Sequence, residues 1–465
     1  MMKYKLYKYR LLFFFISALF VACDSAFLDM KPSKDIDMLN DLDDLENLLE
    51  NSYVFGKTGS LKVASCDDYY LVSRAEWEGL SSMTERNTYV WNADLFGGEI
   101  EQSDWSGQYK AVFYANAVLD RLVQLNIDLS TEQSKYVKGA ALFFRAYAYY
   151  DLATGFCEAY DEETAQGVWG LPLRTEAAID EIKNRSTLEE TFDLIIGDLK
   201  EAARLLKGRP FPTNNRNRPS MEASYAMLAR VYLSMRKYEQ ASAYADSCLI
   251  RYSTLVDYNN ICKDCATPFL DDLDEVIFSS NHFVANARLT SVGERLWMAV
   301  DTLLIDAYDP QDLRLSINFL KNREGNLNKK RGYIMTGFYD FSGLATDEMY
   351  LIRAEGYARM GAVERASTDL EMLLNKRFVH GAFNGIMIRD ANDLLDLILE
   401  ERRKSLVWRG LRWPDLKRLN KEGRNIVLTR RLGTEEYILP ANDPRYVFPI
   451  PDDEIALSNI NQNIR

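Results

Sequence analysis

The chain has 465 residues, with 56 basic and 69 acidic side chains, a net charge of −13 and a hydrophobic fraction of 47%. So acidic a balance argues against nucleic acid as a partner and against adhesion to membranes through a polybasic face. Its only histidines are His282 and His380, which nearly excludes His-based triads and His-rich metal sites.

Lys3, Lys5, Lys8 and Arg10 form a basic head, followed by an apolar run from Leu11 to Ala22. That run is too short for a spanning helix, which needs roughly 20 apolar residues. Head, short apolar stretch and small residues before a break read as a secretory signal over residues 1–22. Phe20-Val21-Ala22-Cys23 reads as a lipobox, so Cys23 is expected to be acylated and to become the mature N-terminus. Each buried acyl CH2 contributes about 0.8 kcal/mol, so two or three chains anchor stably. Removing residues 1–22 takes away four basic residues and no acidic one, leaving 52 basic against 69 acidic and a net charge of −17.

After an acidic tether, "DMLNDLDDLENLLENSY" is expected to be a short helix, and residues 61–104 lack long periodicity and read as structured loops. From Trp105 the pattern turns helical, with apolar residues at three- and four-residue spacing through "WSGQYKAVFYANAVLDRLVQL" and "EQSKYVKGAALFFRAYAYYDLATGF". "VWGLPLR" reads as an extended connector. Ser186 and Glu189 then stand at capping-box spacing before another helix.

Tyr225, Leu228, Ala229, Tyr232, Ala241, Ala245 and Cys248 follow the offsets of a tetratricopeptide helix pair, in which small residues let two helices close up. The same offsets recur at Tyr350, Arg353, Ala354, Tyr357, Ala366, Leu370 and Leu373, and Ala146 with Tyr149 fits a third first-helix. The two full copies start 125 residues apart, so the expectation is a helical scaffold interrupted by large insertions. Residues 251–345 have the texture of short strands and loops. Helices resume at 346–376 and 391–419, and the chain closes on a Pro-rich extended segment and a helical turn.

Six cysteines, with Cys23 assigned to lipid, leave an odd five, so no full disulfide framework forms. Cys262 and Cys265 have metal or redox spacing but no second pair, and read as a local disulfide or two free thiols. No glycine-rich phosphate loop follows a strand and no GxSxG occurs, so no catalytic residue, metal ligand or cofactor is assigned. Paired carboxylates remain open in so acidic a chain, although a solvated acidic surface accounts for them.

Several segments together resemble the SusD/RagB family of outer-membrane lipoproteins. They are "CDSAFLDMKP" from Cys23; Trp105, Tyr109, Ala115 and Asn116; and Arg145, Ala146, Tyr149 and Leu152 with Pro172 and Leu173. Further along come Asp309, Asp312 and Arg314; "MYLIRAEGYARMG"; Glu401, Arg403, Gly410, Arg412, Asp415, Leu416 and Arg418; and "FPIPDDEIALSNINQN". Trp408-Arg409 departs from the family's acid before the glycine, and the tail lacks a closing Pro-Gly-Tyr. The resemblance implies a mostly α fold, a tetratricopeptide-like helical scaffold with large loop and short-strand insertions. It implies one binding domain over residues 23–465, with an N-terminal part to about 250 and a C-terminal part from about 251. It also implies a non-enzymatic, lipid-anchored, surface-exposed outer-membrane protein that captures oligosaccharides, or in some relatives peptides. Such a protein sits as a lid on a SusC-like TonB-dependent barrel. The rival from another class is a tetratricopeptide-like scaffold lipoprotein that docks proteins.

Family members commonly build their site from two loop regions, which here hold Trp77, flanked by Arg74, and Trp297. Sugars present C–H faces to aromatic rings and hydroxyls to polar neighbours. Arg74, Trp77 and Trp297 are therefore the expected ligand-binding residues. Trp105 and Trp408 are expected on helices as packing elements, and Trp91 as buried. Arg412 and Asp415, three apart, are expected to form a local ion pair.

Overall fold

The computed structural model describes residues 39–465 except 101, 179–180, 270–272, 291–292, 294 and 334–339. The expected leader, Cys23 and tether lie outside the described residues. Among the described residues, nine helices have ten or more residues: α1 (Ser103–Gln124), α2 (Glu132–Phe156), α3 (Leu188–Leu205), α4 (Met221–Ser234), α5 (Tyr238–Leu249), α6 (Thr346–Arg359), α7 (Val363–Leu374), α8 (Ala391–Ser405) and α9 (Arg412–Lys421). Strands are two to five residues long and pair only in twos. The fold is mostly α, a tetratricopeptide-like scaffold with insertions.

Four of the nine long helices, α2, α3, α4 and α8, start on a residue whose side chain accepts from a free N–H group. Thr131 caps α2, Ser220 caps α4, and Thr187 with Glu190 forms a full capping box on α3. That box lies one residue beyond the Ser186–Glu189 pair read from spacing. Residues 185–187 are a strand paired with Trp169–Pro172, and the Ser186 hydroxyl bonds the Thr187 carbonyl and the Thr191 hydroxyl, each at 2.9 Å, instead of capping the helix. α2 is buried almost all round, from Tyr136 through Phe156, which makes it the axis of the main core.

Neighbours stack in order: α1 on α2, α2 on α3, α3 on α4, α4 on α5, α5 on α6, and α6 on α7 and α8. The repeat copies that are far apart in sequence are therefore adjacent in space. Residues 250–345 leave the stack after α5 and return at α6. Ala229, Ala241 and Ala354 are fully buried. At Gly356 a Cβ would lie 2.6 Å from the Ser242 Cβ and 2.9 Å from the Tyr238 carbonyl, so α6 touches α5 where only glycine fits. Cys248, also at a repeat position, is a buried free thiol, as are Cys66 and Cys157, while Cys262 and Cys265 form a local disulfide.

Enlarging one of the small contact residues must force neighbours apart. Ala229→Leu is expected to cost about 1–3 kcal/mol and lower the melting temperature by several degrees. An unchanged melting curve would show that this position does not set helix spacing.

Residues 61–104, expected as loops, instead hold the short helices Leu61–Ser65, Arg74–Glu78 and Met83–Tyr89 and the strand Tyr69–Leu71. Segments of five to seven residues are too short to show a 3.6-residue period. The 391–419 region breaks into α8 and α9 at a turn that holds Trp408 at φ 67° and Gly410 at φ 72°. Trp408 is buried as expected but is not helical. A Cβ on Gly410 would also lie 2.7 Å from the His282 ring.

Ion pairs, buried or half-buried, bind the sequence motifs to one another and to the rest of the chain. Arg412 reaches Asp67 at 2.7 and 2.8 Å, while Asp415 takes Arg402 at 2.8 Å and Arg418 at 2.7 Å. The expected Arg412–Asp415 pair does not form: Arg412 takes the distant Asp67, while Asp415 takes Arg402 and, three residues on, Arg418. Arg418 continues to Glu355 on α6, tying α9 to the stack. Arg145, on α2, pairs with Asp198 on α3 at 2.7 and 2.8 Å and with Asn116 on α1 at 2.9 Å.

Candidate functional site

The strand Tyr69–Leu71 pairs antiparallel with Met298–Val300, and the Val72 N–H extends the ladder to the Trp297 carbonyl at 3.0 Å. This ladder brings together the two regions singled out in the sequence, residues 74–78 and 295–297. Trp77 lies on the helix Arg74–Glu78, which Ser73 caps, and not in a loop. Trp77 and Trp297 are both half-buried against one apolar cluster that includes Tyr69, Leu71, Tyr89, Leu289 and Trp408.

Both indoles are fixed. The Trp77 N–H donates to the Arg86 carbonyl at 3.0 Å, and the Trp297 N–H to the Arg288 carbonyl at 3.1 Å. Arg288 is in turn held by its own N–H to Glu85 at 2.9 Å and by its guanidinium to the Gly79 carbonyl at 2.8 Å. The guanidiniums of Arg288 and Arg295 lie 5.0 and 5.2 Å from the Trp297 ring centroid, within cation–π range. Arg74 pairs with Glu78 and with Glu435, and Glu435 also accepts the Tyr437 hydroxyl at 2.6 Å. The rim therefore joins the 74–78 helix to the hairpin formed by Leu428–Leu432 and Glu435–Leu439.

Burial pushes the Glu85 carboxyl up. Glu99 is also partly desolvated, but hydrogen bonds from Thr84, Ser82 and Met83 outweigh this and bring it down to about 2. It is a fixed anion at the N-terminus of the Met83–Tyr89 helix, where the helix dipole favours negative charge. The face thus offers two pinned aromatic rings, four arginines and a few acids, an arrangement suited to holding a polar ligand in place.

Three pairs of carboxylates elsewhere are clamped by arginine beneath the surface. Asp312 and Glu401 flank Arg314, Glu275 and Asp347 flank Arg377, and Glu355 and Asp415 flank Arg418. All of these side chains are buried, so a substrate cannot reach them. Among the described residues no three His, Cys, Asp or Glu side chains gather as a metal site.

A cleft of about 800 Å3 lies apart from this face, beside Trp169 and the C-terminal tail. Sequence reasoning missed it. "VWGLPLR" carries no signal that its tryptophan stays half exposed, because exposure depends on what the tail at 461–464 does far along the chain.

The architecture is that of a helical-repeat protein whose surface chemistry is carried by insertions. A sequence family described as starch-binding and associating with the outer membrane matches residues 26–233. A SusD-like protein of Formosa agariphila is 22% identical over 69% of this chain and 73% of its own length, and a second is 22% identical over 77% and 79%. A SusD-superfamily crystal structure from Bacteroides vulgatus superposes with a TM-score of 0.71 at 22% identity, covering 91% of this chain and 98% of that one. A laminarin-binding SusD-like protein superposes with a TM-score of 0.65 at 19% identity, covering 90% and 97%. Residues 26–233 thus match a SusD-like family, and the fold over nine-tenths of the chain is that of SusD-superfamily structures. Among the described residues no helix is long and apolar enough to cross a membrane.

Proposed function

We propose that the protein captures oligosaccharides at the outer membrane without altering them and passes them to a SusC-like TonB-dependent barrel. In this reading the chain is anchored by lipid at Cys23, at the cell surface, and Arg74, Trp77 and Trp297 contribute to the ligand face. The observation that carries it is the ladder joining Leu71 to Met298, which packs two pinned indoles on one apolar cluster. Sites built on held side chains lose less entropy on binding. The family's description as starch-binding and a laminarin-binding neighbour of the same fold support a glycan as the ligand.

Calorimetry with malto- and laminari-oligosaccharides tests the ligand face. Trp77→Ala and Trp297→Ala are each expected to weaken binding of the recognised glucan at least tenfold with the fold intact. Unchanged affinity in both would move the site elsewhere, and hydrolysis of the bound glucan would overturn the non-catalytic reading. For the anchor and the partner, Cys23→Ala is expected to release the protein from membranes, and the tagged wild type to co-purify with a TonB-dependent barrel.

A further inference from the structure

The 800 Å3 cleft forms where the C-terminal end of α2, the start of the strand Trp169–Pro172, α9, residues 442–447 and the tail at 461–464 converge. Trp169 stands at its mouth with about half its surface exposed. The ring is nonetheless rigidly placed. Its backbone pairs with Thr187, and Arg185 grips the same strand through the Gly170 carbonyl at 2.8 Å while lying 5.9 Å from the Trp169 ring centroid. Unlike Trp77 and Trp297, Trp169 has no partner for its indole N–H among the described residues. Among the described residues it is the only tryptophan among the exposed large hydrophobic side chains.

The walls suit a neutral, hydroxyl-rich ligand. Glu158 and Asp443 balance Lys417 and Lys421, so the cleft has no net charge with which to select an anion or a cation. Carboxamides dominate the remaining polar lining, and several are locked by the backbone. Asn463 donates to the Phe156 and Phe448 carbonyls at 2.8 Å, Asn442 donates to the Asn420 carbonyl at 3.0 Å, and Gln462 bonds both backbone groups of Ile450. Lys417 spends two of its three protons on the Thr154 and Cys157 carbonyls, at 2.9 and 2.6 Å, which leaves one donor. Burial, the first of its influences, brings this amine down to about 8. Val168, Pro444 and Val447 supply apolar surface beside the ring. An exposed flat aromatic, fixed amides and no net charge are what a sugar needs from a protein. The volume falls within the range of small-ligand sites and accommodates a short oligosaccharide.

We propose that this cleft is a second binding site, taking a neutral oligosaccharide that stacks on Trp169. The ligand class rests on the glycan reading above, whereas the location does not. One segment serves both places: Glu435 and Tyr437 rim the Trp77 face, and residues 442–447 line the cleft. Arg445 fixes the link between them through the Trp91 and Ile438 carbonyls at 3.2 and 3.0 Å. A polymer chain held at one site raises its own effective concentration at the other, which strengthens retention without any new contact.

The test uses the detergent-solubilised full-length protein with maltohexaose and laminarihexaose as probes, followed by calorimetry and by the indole N–H resonance of Trp169. Trp169→Ala is expected to weaken one binding step at least tenfold, Trp169→Tyr to retain most of it, and the Trp169 resonance to shift on titration. With Trp77→Ala and Trp297→Ala combined, the Trp169 shift should persist. If Trp169→Ala changes no binding step while the Trp77 and Trp297 variants do, the second site is wrong and the first reading stands. If the double variant changes nothing while Trp169→Ala removes all binding, the cleft stands and the first reading fails. Absence of a Trp169 shift with both probes, or loss of barrel co-purification alone in Trp169→Ala, overturns the cleft as a glycan site.

Discussion

Replacing Arg314 with methionine is expected to destabilise the protein by about 3–5 kcal/mol, the usual cost of leaving a buried charge without its partner. Arg314 is fully buried and reaches Asp312 at 2.9 Å, Glu401 at 2.6 Å and Ser405 at 2.7 Å. Burial opposes its charge, but Glu401 and Asp312 hold it firmly protonated. Without it, Lys404 still pairs with Glu401 at 2.6 Å, so the orphaned group is Asp312. The loss should therefore shrink as pH falls toward 4, where an orphaned carboxylate takes up a proton. Urea unfolding at pH 7.5 and pH 4.5 measures both effects. A loss under about 1 kcal/mol at pH 7.5, or one that does not depend on pH, would show that the cluster is solvated. The consequence reaches function, since this cluster ties the insertion behind the Trp297 region to α8.

Gly343→Ala is expected to cost about 3 kcal/mol, at the upper end of ordinary overpacking, and to lower the melting temperature by several degrees. A Cβ there would lie 2.0 Å from the Phe278 carbonyl and 2.7 Å from the Phe341 ring. Part of that clash is with backbone, so no side-chain rotation relieves it. Moving the segment would separate Leu344 from Phe278 in the ladder and disturb the Gly343 carbonyl, which accepts Arg230 at 2.6 Å. Arg230 also pairs with Glu348 at 2.8 and 2.6 Å, so the strain would spread to α4 and α6. A melting curve matching the wild type would mean that the insertion's return to the stack tolerates expansion.

The scaffold was legible because its signals are local. Ala229, Ala241 and Ala354 recur at helical spacing, and a helix face must repeat every three or four residues to pack at all. Family motifs were legible too, but their roles were not. Arg412 and Asp415 sit three apart, yet Arg412 pairs with the distant Asp67 and Asp415 with Arg402 and Arg418, because ion-pair geometry is set by which opposite charges the fold brings within reach. The capping box stands one residue later, on Thr187 and Glu190, and the Ser186 hydroxyl goes to the Thr187 carbonyl and the Thr191 hydroxyl. Trp77 was assigned to a loop because a five-residue helix has no period to read.

The sequence by itself determined the helical repeats, the interruption of the stack between residues 250 and 345, and the burial of Trp91 and Trp105, since each follows from side-chain size and spacing along a few turns. Only the tertiary structure decided that Trp77 and Trp297 share one face, that Asp67 answers Arg412, and that Trp169 stays open beside a large cleft. Those outcomes depend on segments hundreds of residues apart meeting in space, and no local pattern encodes which surface the returning chain covers and which it leaves in water.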